Sequence, residues 1–138
     1  MDEKTPSSYR FQKVLLVDDN EIDNFINERI LNSSFFAKEV IVKNSADAAM
    51  AFLKNHPGNA AADLPRLIFL DLNMPVKDGF AFLDEYNSLN NEIKKSCSII
   101  VLSASISPED INRASTNPHV IKYLNKPLSE KYLEAVNV

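Results

Sequence analysis

The stretch Leu67-Ile68-Phe69-Leu70-Asp71-Leu72-Asn73-Met74-Pro75 decides the fold class of this chain. Four apolar residues run without alternation into an aspartate, and a proline follows shortly afterwards. Unbroken apolar runs of this length are typical of strands buried on both faces of a parallel sheet covered by helices. Asp71 is therefore expected at the carboxyl end of a central strand, the edge where open α/β sheets bind ligands.

Length and composition narrow the possible functions. The chain has 138 residues and a formal net charge of -4, which predicts one domain and argues against nucleic acid or an anionic membrane as its main partner. Cys97 is the only cysteine, so no intrachain disulfide can form and a cytoplasmic location is expected. The glycines Gly58 and Gly79 stand alone, which excludes a Gly-rich nucleotide loop. No apolar segment is long enough to span a bilayer.

Apolar runs alternate with helical patterns along the whole chain. Such alternation predicts a parallel sheet with right-handed crossovers and helices on both faces. We expect an α/β fold of the doubly wound, flavodoxin-like kind, with a five-stranded parallel sheet in the order 2-1-3-4-5. The expected strands are 13–17, 39–43, 67–70, 98–102 and 119–125, and helices are expected to begin at Asn20, Ser45, Gly79, Ser107 and Ser129.

The first helix is predicted to be amphipathic. Asn20 is its expected N-cap, with Asp23 as a capping-box partner three residues later. Its apolar residues recur at helical spacing and are expected to face the core. They are Ile22, Phe25, Ile26 and Ile30.

Polar residues end four of the five predicted strands. Asp18 and Asp19 follow the first strand, Asp71 the third, Ser103 the fourth and Lys126 the fifth. In a 2-1-3-4-5 sheet the order reverses between strands one and three, so the three carboxylates meet at that switch point. A hydroxyl and an ammonium then lie beside them.

Three converging carboxylates need a cation, because two like charges about 4 Å apart repel by roughly 4 kcal/mol at an effective dielectric of 20. Mg²⁺ prefers hard oxygen ligands and retains waters that a phosphate can replace. A metal with a lysine and a hydroxyl opposite it is typical of a phosphoryl-binding site. An aspartate carboxylate can attack phosphorus directly and form an aspartyl phosphate.

Five short motifs stand in order at the ends of successive βα units. Together they make the chain resemble the receiver domain of bacterial two-component response regulators, of the chemotaxis-regulator type, from about Lys13 to the C-terminus. We therefore expect residues 1–10 to be a flexible leader and residues 11–138 to be the receiver domain. The motifs are VDDN at 17–20, LDLNMP at 70–75, DG at 78–79, LSAS at 102–105 and YLNKP at 123–127.

The resemblance implies a role for each polar residue at the metal. Asp71 is expected to be the phosphoacceptor. Asp19 and Asp71 would bind Mg²⁺ directly, together with the backbone carbonyl of Asn73. Asp18 would act through a metal-bound water.

The resemblance also implies a switch. Lys126 would pair with Asp71 and then with the phosphoryl oxygens, and its bond to Pro127 would be cis. Ser103, in place of the family's commoner threonine, would be the hydroxyl that moves to the phosphoryl group. Tyr123 would be the aromatic residue that turns inward when Ser103 moves.

The expected function is a phosphorylation-controlled signalling switch. A histidine kinase or a histidine phosphotransfer protein would donate the phosphoryl group, and the changed surface around strands four and five would bind a downstream target protein. No enzymatic turnover is expected beyond self-phosphorylation from a donor and slow autodephosphorylation. The chain is expected to be a free-standing phosphorelay component. The alternative is a receiver fragment of a larger regulator or of a hybrid histidine kinase.

Three other functions remain open, all less favoured. A haloacid-dehalogenase-like phosphatase needs a second acid two residues after the nucleophile, where this chain has Asn73. Flavin binding on the same topology is opposed by the acidic loop after the first strand. A pseudo-receiver that acts only as a scaffold would not need the residues of the phosphorylation chemistry, all of which this sequence contains. His56, His119 and Cys97 are interpreted as structural, and Ser105 as a loop residue that could tune water access.

Overall fold

The computed structural model describes residues 9–55, 64–104 and 107–136. Its five strands form one sheet in the order β2-β1-β3-β4-β5, and all four neighbouring pairs are parallel. The predicted fold class and strand order are confirmed. The strands are β1 (Phe11–Val17), β2 (Ala37–Lys43), β3 (Leu67–Leu70), β4 (Ser98–Ser103) and β5 (Val120–Asn125).

The described parts of the chain contain six helices, one more than predicted. The additional helix has six residues, of which only Ile93 is buried, so it lacks the apolar periodicity that would have revealed it. The predicted N-caps Asn20, Ser45, Ser107 and Ser129 are confirmed. The helices are α1 (Glu21–Ser33), α2 (Ala46–Lys54), α3 (Gly79–Tyr86), α4 (Asn91–Ser96), α5 (Pro108–Ala114) and α6 (Glu130–Glu134).

Strand β3 is the centre of the core. All four of its side chains are 0% exposed. Ile68 and Leu70 belong to the apolar cluster that includes α2 and α3, whereas Leu67 and Phe69 belong to the cluster that includes α1 and α6. Burial of such side chains contributes roughly 1.5–3 kcal/mol each, so the strand that carries Asp71 is held on both faces.

The predicted inner face of α1 is wrong. Ile22, Phe25 and Ile26 are 71%, 63% and 40% exposed, respectively, and Ile30 is only half-buried. The residues of α1 that are buried instead are Asn24, Asn27 and Leu31.

Backbone contacts explain why α1 buries two asparagines. The side-chain amide of Asn24 donates to the carbonyl of Asp18 (2.7 Å), and the side-chain oxygen of Asn27 accepts from the N–H of Leu128 (3.0 Å). A buried polar group is tolerated where it is hydrogen-bonded, and both bonds go to backbone next to the polar strand ends. The orientation of α1 therefore serves this edge of the sheet rather than apolar burial.

Several sequence-based assignments fall partly or wholly outside the described residues. These include residues 1–8 of the predicted leader, His56 and Ser105. Two residues assigned to the leader contact the domain: the Tyr9 ring packs on Phe35, and the Arg10 guanidinium donates to the carbonyls of Leu133 and Val136. Among the described helices, none is both long and apolar enough to cross a membrane.

The loop after β3 contains a strained turn. Val76 has a φ of 68° and is fully exposed, and the N–H of Lys77 donates to the carbonyl of Pro75 (2.7 Å). A three-residue turn with positive φ at its centre is rare, and a β-branched residue is especially disfavoured there. The ammonium of Lys77 pairs with Asp47 and Glu85, which ties the loop to α2 and α3.

We predict that Val76→Gly raises the free energy of unfolding by about 0.5–1 kcal/mol, because glycine adopts positive φ without a Cβ clash and the exposed valine loses no packing. Urea unfolding measures the change. Val76→Ala, which keeps a Cβ, is the matched control and should lie between the two. A Val76→Gly protein less stable than wild type would contradict the strained turn.

Candidate functional site

Three carboxylates converge where β1 and β3 end. Asp18, Asp19 and Asp71 each offer an oxygen, and these oxygens all lie within 4.8 Å of one another. Asp18 and Asp71 are 1% and 5% exposed, whereas Asp19 is exposed. The N–H of Asp71 donates to the carbonyl of Val17 (3.0 Å), which holds the two strand ends together. Hard carboxylate oxygens at this spacing, one of them open to solvent, fit a divalent cation.

One ammonium contacts three carboxylates, two directly after β1 and β3 and one in α1. The Nζ atom of Lys126 lies 2.5 Å from Asp18 Oδ2, 2.8 Å from Asp23 Oδ2 and 3.1 Å from Asp71 Oδ2. The ammonium donates hydrogen bonds to Asp23 and Asp71 and forms an ion pair with Asp18. The backbone N–H of Lys126 donates to the carbonyl of Ser103 (2.9 Å), and the predicted cis bond to Pro127 is present.

The pKa values of this cluster follow from burial and from its mixed charges. Burial lowers the pKa of Lys126, but hydrogen bonds to Asp18 and Asp23 and the charge of Asp71 outweigh burial and raise it above the ordinary value. Burial raises the pKa of Asp18, and the nearby charge of Asp71 adds to that rise. Lys126 and the backbone N–H of Asn20 oppose the rise without reversing it.

The other oxygen of Asp71 receives neutral donors. The hydroxyl of Ser103 donates to Asp71 Oδ1 (2.5 Å) and accepts from the N–H of Leu72 (3.0 Å), and Ser103 is 0% exposed. The N–H of Asn73 also donates to Asp71 Oδ1 (3.2 Å). Asp71 is thus fixed by strand, loop and hydroxyl together. The predicted metal contact of the Asn73 carbonyl stays a prediction.

Tyr123 lies on the strand next to Ser103. It pairs with Val101 in the β4–β5 register, two residues before Ser103, and is therefore on the same face of the sheet. Its ring is half-buried against the α2–α3 side of the core. Burial raises the pKa of its hydroxyl, while a hydrogen bond with Ser115 opposes the rise. Its predicted inward turn stays a prediction.

Sequence reasoning missed the role of Asp23. The expected capping-box bond is absent among the described contacts, since the N–H of Asn20 donates to Asp18 Oδ1 (3.0 Å) and the Asp23 carboxylate contacts Lys126. Its position in the first turn of a helix that follows two site aspartates was the only available signal.

A cavity of about 290 Å³ opens beside the contact between Asp23 and Lys126. Its lining residues are Asp23, Ile26, Asn27, Ala104, Lys126 and Pro127.

Gly79 lets α3 begin against the loop that carries the acid. A Cβ at this position would lie 2.6 Å from the carbonyl oxygen of Asp71 and 2.7 Å from the Cα of Leu72. Both atoms belong to the backbone and cannot move aside cheaply. The N–H of Gly79 donates to the carbonyl of Leu72 (3.0 Å), which fixes this close approach.

Neutralising Asp18 should stabilise the protein increasingly as the pH rises. The folded-state pKa of Asp18 lies above 3.8, so its stabilising contribution is present below that value and is lost as pH rises through the folded-state pKa. In EDTA, Asp18→Asn should therefore gain stability relative to wild type as the pH rises above 3.8 and through the folded-state pKa of Asp18. Urea unfolding across this range measures the difference.

Asp84→Asn, at an exposed position of α3, is the control for that prediction and should shift stability by less than about 0.5 kcal/mol at every pH. A difference between Asp18→Asn and wild type that does not change with pH would contradict the effect of burial on Asp18.

Comparison with known proteins agrees with this geometry. A family model described as the response regulator receiver domain matches residues 14–137. Response regulator Rcp1 of Synechocystis sp. is 36% identical over 120 residues, covering 87% of this chain and 80% of Rcp1. The probable methanogenesis regulatory protein FilR2 of Methanothrix harundinacea is 34% identical over 116 residues, covering 84% of this chain and 72% of FilR2.

Solved structures show the same relationship. A two-component response regulator from Cytophaga hutchinsonii superposes with a TM-score of 0.81 at 30% identity, covering 91% of this chain and 92% of that one. The Mn(2+)-bound form of Rcp1 gives a TM-score of 0.70 at 31% identity, covering 92% and 98%. These matches do not favour the phosphatase, flavin or scaffold alternatives. The chain belongs to the response regulator receiver domains, the phosphorylation-controlled signalling switches of two-component systems.

Proposed function

We propose that Asp71 accepts a phosphoryl group from the phosphohistidine of a histidine kinase or histidine phosphotransfer protein. The observation that carries the proposal is the convergence on Asp71 of a buried ammonium at 3.1 Å and a buried hydroxyl at 2.5 Å. We further propose that the cation is Mg²⁺, because the donor set is made of hard carboxylate oxygens. Bound there, Mg²⁺ would offset the negative charge that gathers around the transferred group.

Each residue of the site has a different role in the phosphoryl transfer. A carboxylate oxygen of Asp71 forms a bond to phosphorus while the phosphorus–nitrogen bond of the donor breaks, and the bonding electrons stay on the imidazole nitrogen. The Lys126 ammonium is placed to stabilise charge on the phosphoryl oxygens. Ser103 loses its acceptor when Asp71 is modified and can donate to a phosphoryl oxygen instead. Because Ser103 belongs to β4, this exchange can reach Tyr123 on β5.

We propose no other turnover for this site beyond slow hydrolysis of its own acyl phosphate. Asn73 stands where a phosphatase would need a second acid, and its side chain cannot serve as a general acid or base. The output is then binding of a downstream target protein, with no direct contact to nucleic acid or membrane. A cytoplasmic location is proposed because Cys97 is the only cysteine of the sequence and no intrachain disulfide can form.

The exposed apolar residues of α1 are proposed as the docking surface for the phosphodonor protein. Ile26 lines the cavity that reaches Lys126, and Phe25 and Ile22 extend the same apolar surface along the helix. Exposed apolar patches beside a reactive site are typical of protein contact surfaces. A docked donor would cover the cavity and bring its phosphohistidine to Asp71.

Replacing Phe25 with aspartate should slow transfer from the phosphodonor protein by about tenfold or more, because the contact loses apolar area and gains a charge. Phosphorylation by acetyl phosphate, which needs no docking surface, should be unchanged. Ile111→Asp, at an exposed position of α5, is the matched control. Equal slowing with both donors would contradict a docking role.

The proposed function predicts binding of beryllofluoride, a phosphoryl mimic, that depends on Mg²⁺ and is lost in Asp71→Asn. Titration followed by ¹⁹F NMR measures binding, and radiolabelled transfer from the kinases of the same genome measures function. Wild type that neither binds the mimic nor accepts label, or Asp71→Asn that matches wild type, would overturn the proposal.

A further inference from the structure

Lys126 has one carboxylate partner that the phosphoryl site does not account for. Asp18 and Asp71 belong to the group of oxygens that fits a cation, but Asp23 does not. Its Oδ2 atom nevertheless lies 2.8 Å from Lys126 Nζ, closer than Asp71 at 3.1 Å. The ammonium thus contacts two site carboxylates and one carboxylate outside the site.

Cation binding changes the competition for these oxygens. A divalent ion held by Asp18, Asp19 and Asp71 attracts the same carboxylates and repels the ammonium. Asp23, outside that group, keeps its full charge for Lys126. It is then the partner that can retain a flexible lysine side chain beside Asp71.

Asp23 is itself held in a fixed place. Its N–H donates to the side chain of Asn20 (2.9 Å), and its position is in the first turn of α1. The same helix is bonded by Asn24 to the carbonyl of Asp18 and by Asn27 to the N–H of Leu128, two residues after Lys126. The helix therefore fixes both the carboxylate of Asp23 and the backbone next to the lysine.

The negative charge of Asp23 also repels an incoming phosphoryl group, and exposure decides which effect dominates. The Asp23 side chain is 33% exposed, whereas those of Lys126 and Asp71 are 9% and 6% exposed. Solvent screens the longer-range repulsion more than it weakens a direct hydrogen-bonded contact with a buried ammonium. The attraction of Asp23 for Lys126 is therefore a larger effect than its repulsion of the phosphoryl group.

We propose that Asp23 is a positioning residue for phosphoryl transfer, which keeps the Lys126 ammonium beside Asp71 while the metal occupies the other carboxylates. The inference rests on the proposed function, since it concerns the same reaction. Asp23 touches neither the phosphoryl group nor the metal and acts only through Lys126.

Asp23→Asn should weaken Mg²⁺-dependent beryllofluoride binding by about three- to tenfold and slow phosphorylation by acetyl phosphate by a similar factor. Asp23→Glu, which restores the charge, should recover most of both. In ¹⁵N-lysine protein, the ζ-NH₃⁺ signal of Lys126 should exchange faster with water in Asp23→Asn. A purely structural role for Asp23 would not produce both results, the recovery in Asp23→Glu and the faster exchange of the Lys126 ammonium in Asp23→Asn.

Two controls distinguish action through Lys126 from a general effect of negative charge on α1. Glu21→Gln removes a neighbouring exposed charge of α1 and should leave beryllofluoride affinity within about twofold, whereas an equal loss would mean a general field effect and overturn the proposal. In a Lys126→Met background Asp23→Asn should have no further effect, and an additive loss would overturn action through the lysine. Unchanged or tighter binding by Asp23→Asn, with wild type binding normally and Asp71→Asn not binding, would contradict this inference and leave the proposed function intact.

Discussion

The contact of one lysine with several carboxylates is the interaction on which this structure depends. Asp18 and Asp71 are almost fully buried next to each other, and two such charges repel by roughly 4 kcal/mol at about 4 Å in an environment of intermediate dielectric. Lys126 offsets that repulsion with a single ammonium and is itself largely buried. Removing one partner of a buried ion pair leaves an uncompensated charge, so lysine and aspartates form one unit.

The fold connects this unit to the neighbouring strands of the sheet through a hydrogen bond and strand pairing. Strand β3 is buried on both faces, so Asp71 follows a strand that the core holds from both sides. Ser103 on β4 bonds directly to Asp71, and β4 pairs with β5, where Tyr123 lies. Under the proposed function, a new phosphoryl group would change the hydrogen bond of Ser103 first. Its effect would then pass along two neighbouring strands towards the surface that they form with α5.

The sequence predicted the sheet and most of the site because both depend on strong local signals. Unbroken apolar runs specify buried parallel strands, and the residues that end those runs must meet at one edge. The inner face of α1 was not predictable from periodicity. Ile22 and Phe25 follow a helical repeat as well as Asn24 and Asn27 do, and only the backbone partners of the asparagines decide between the faces. Helix α4 was not predicted, because a six-residue helix with one buried side chain shows no periodic pattern of apolar residues.

The most direct test of the central claim is to locate the phosphoryl group chemically. Phosphorylation by acetyl phosphate in Mg²⁺, followed by borohydride reduction, converts an aspartyl phosphate to homoserine, which mass spectrometry assigns to a residue. The geometry around Lys126 and Ser103 predicts homoserine at position 71. Homoserine at another aspartate, or phosphate retained on a histidine or serine with Asp71 unmodified, would contradict the account.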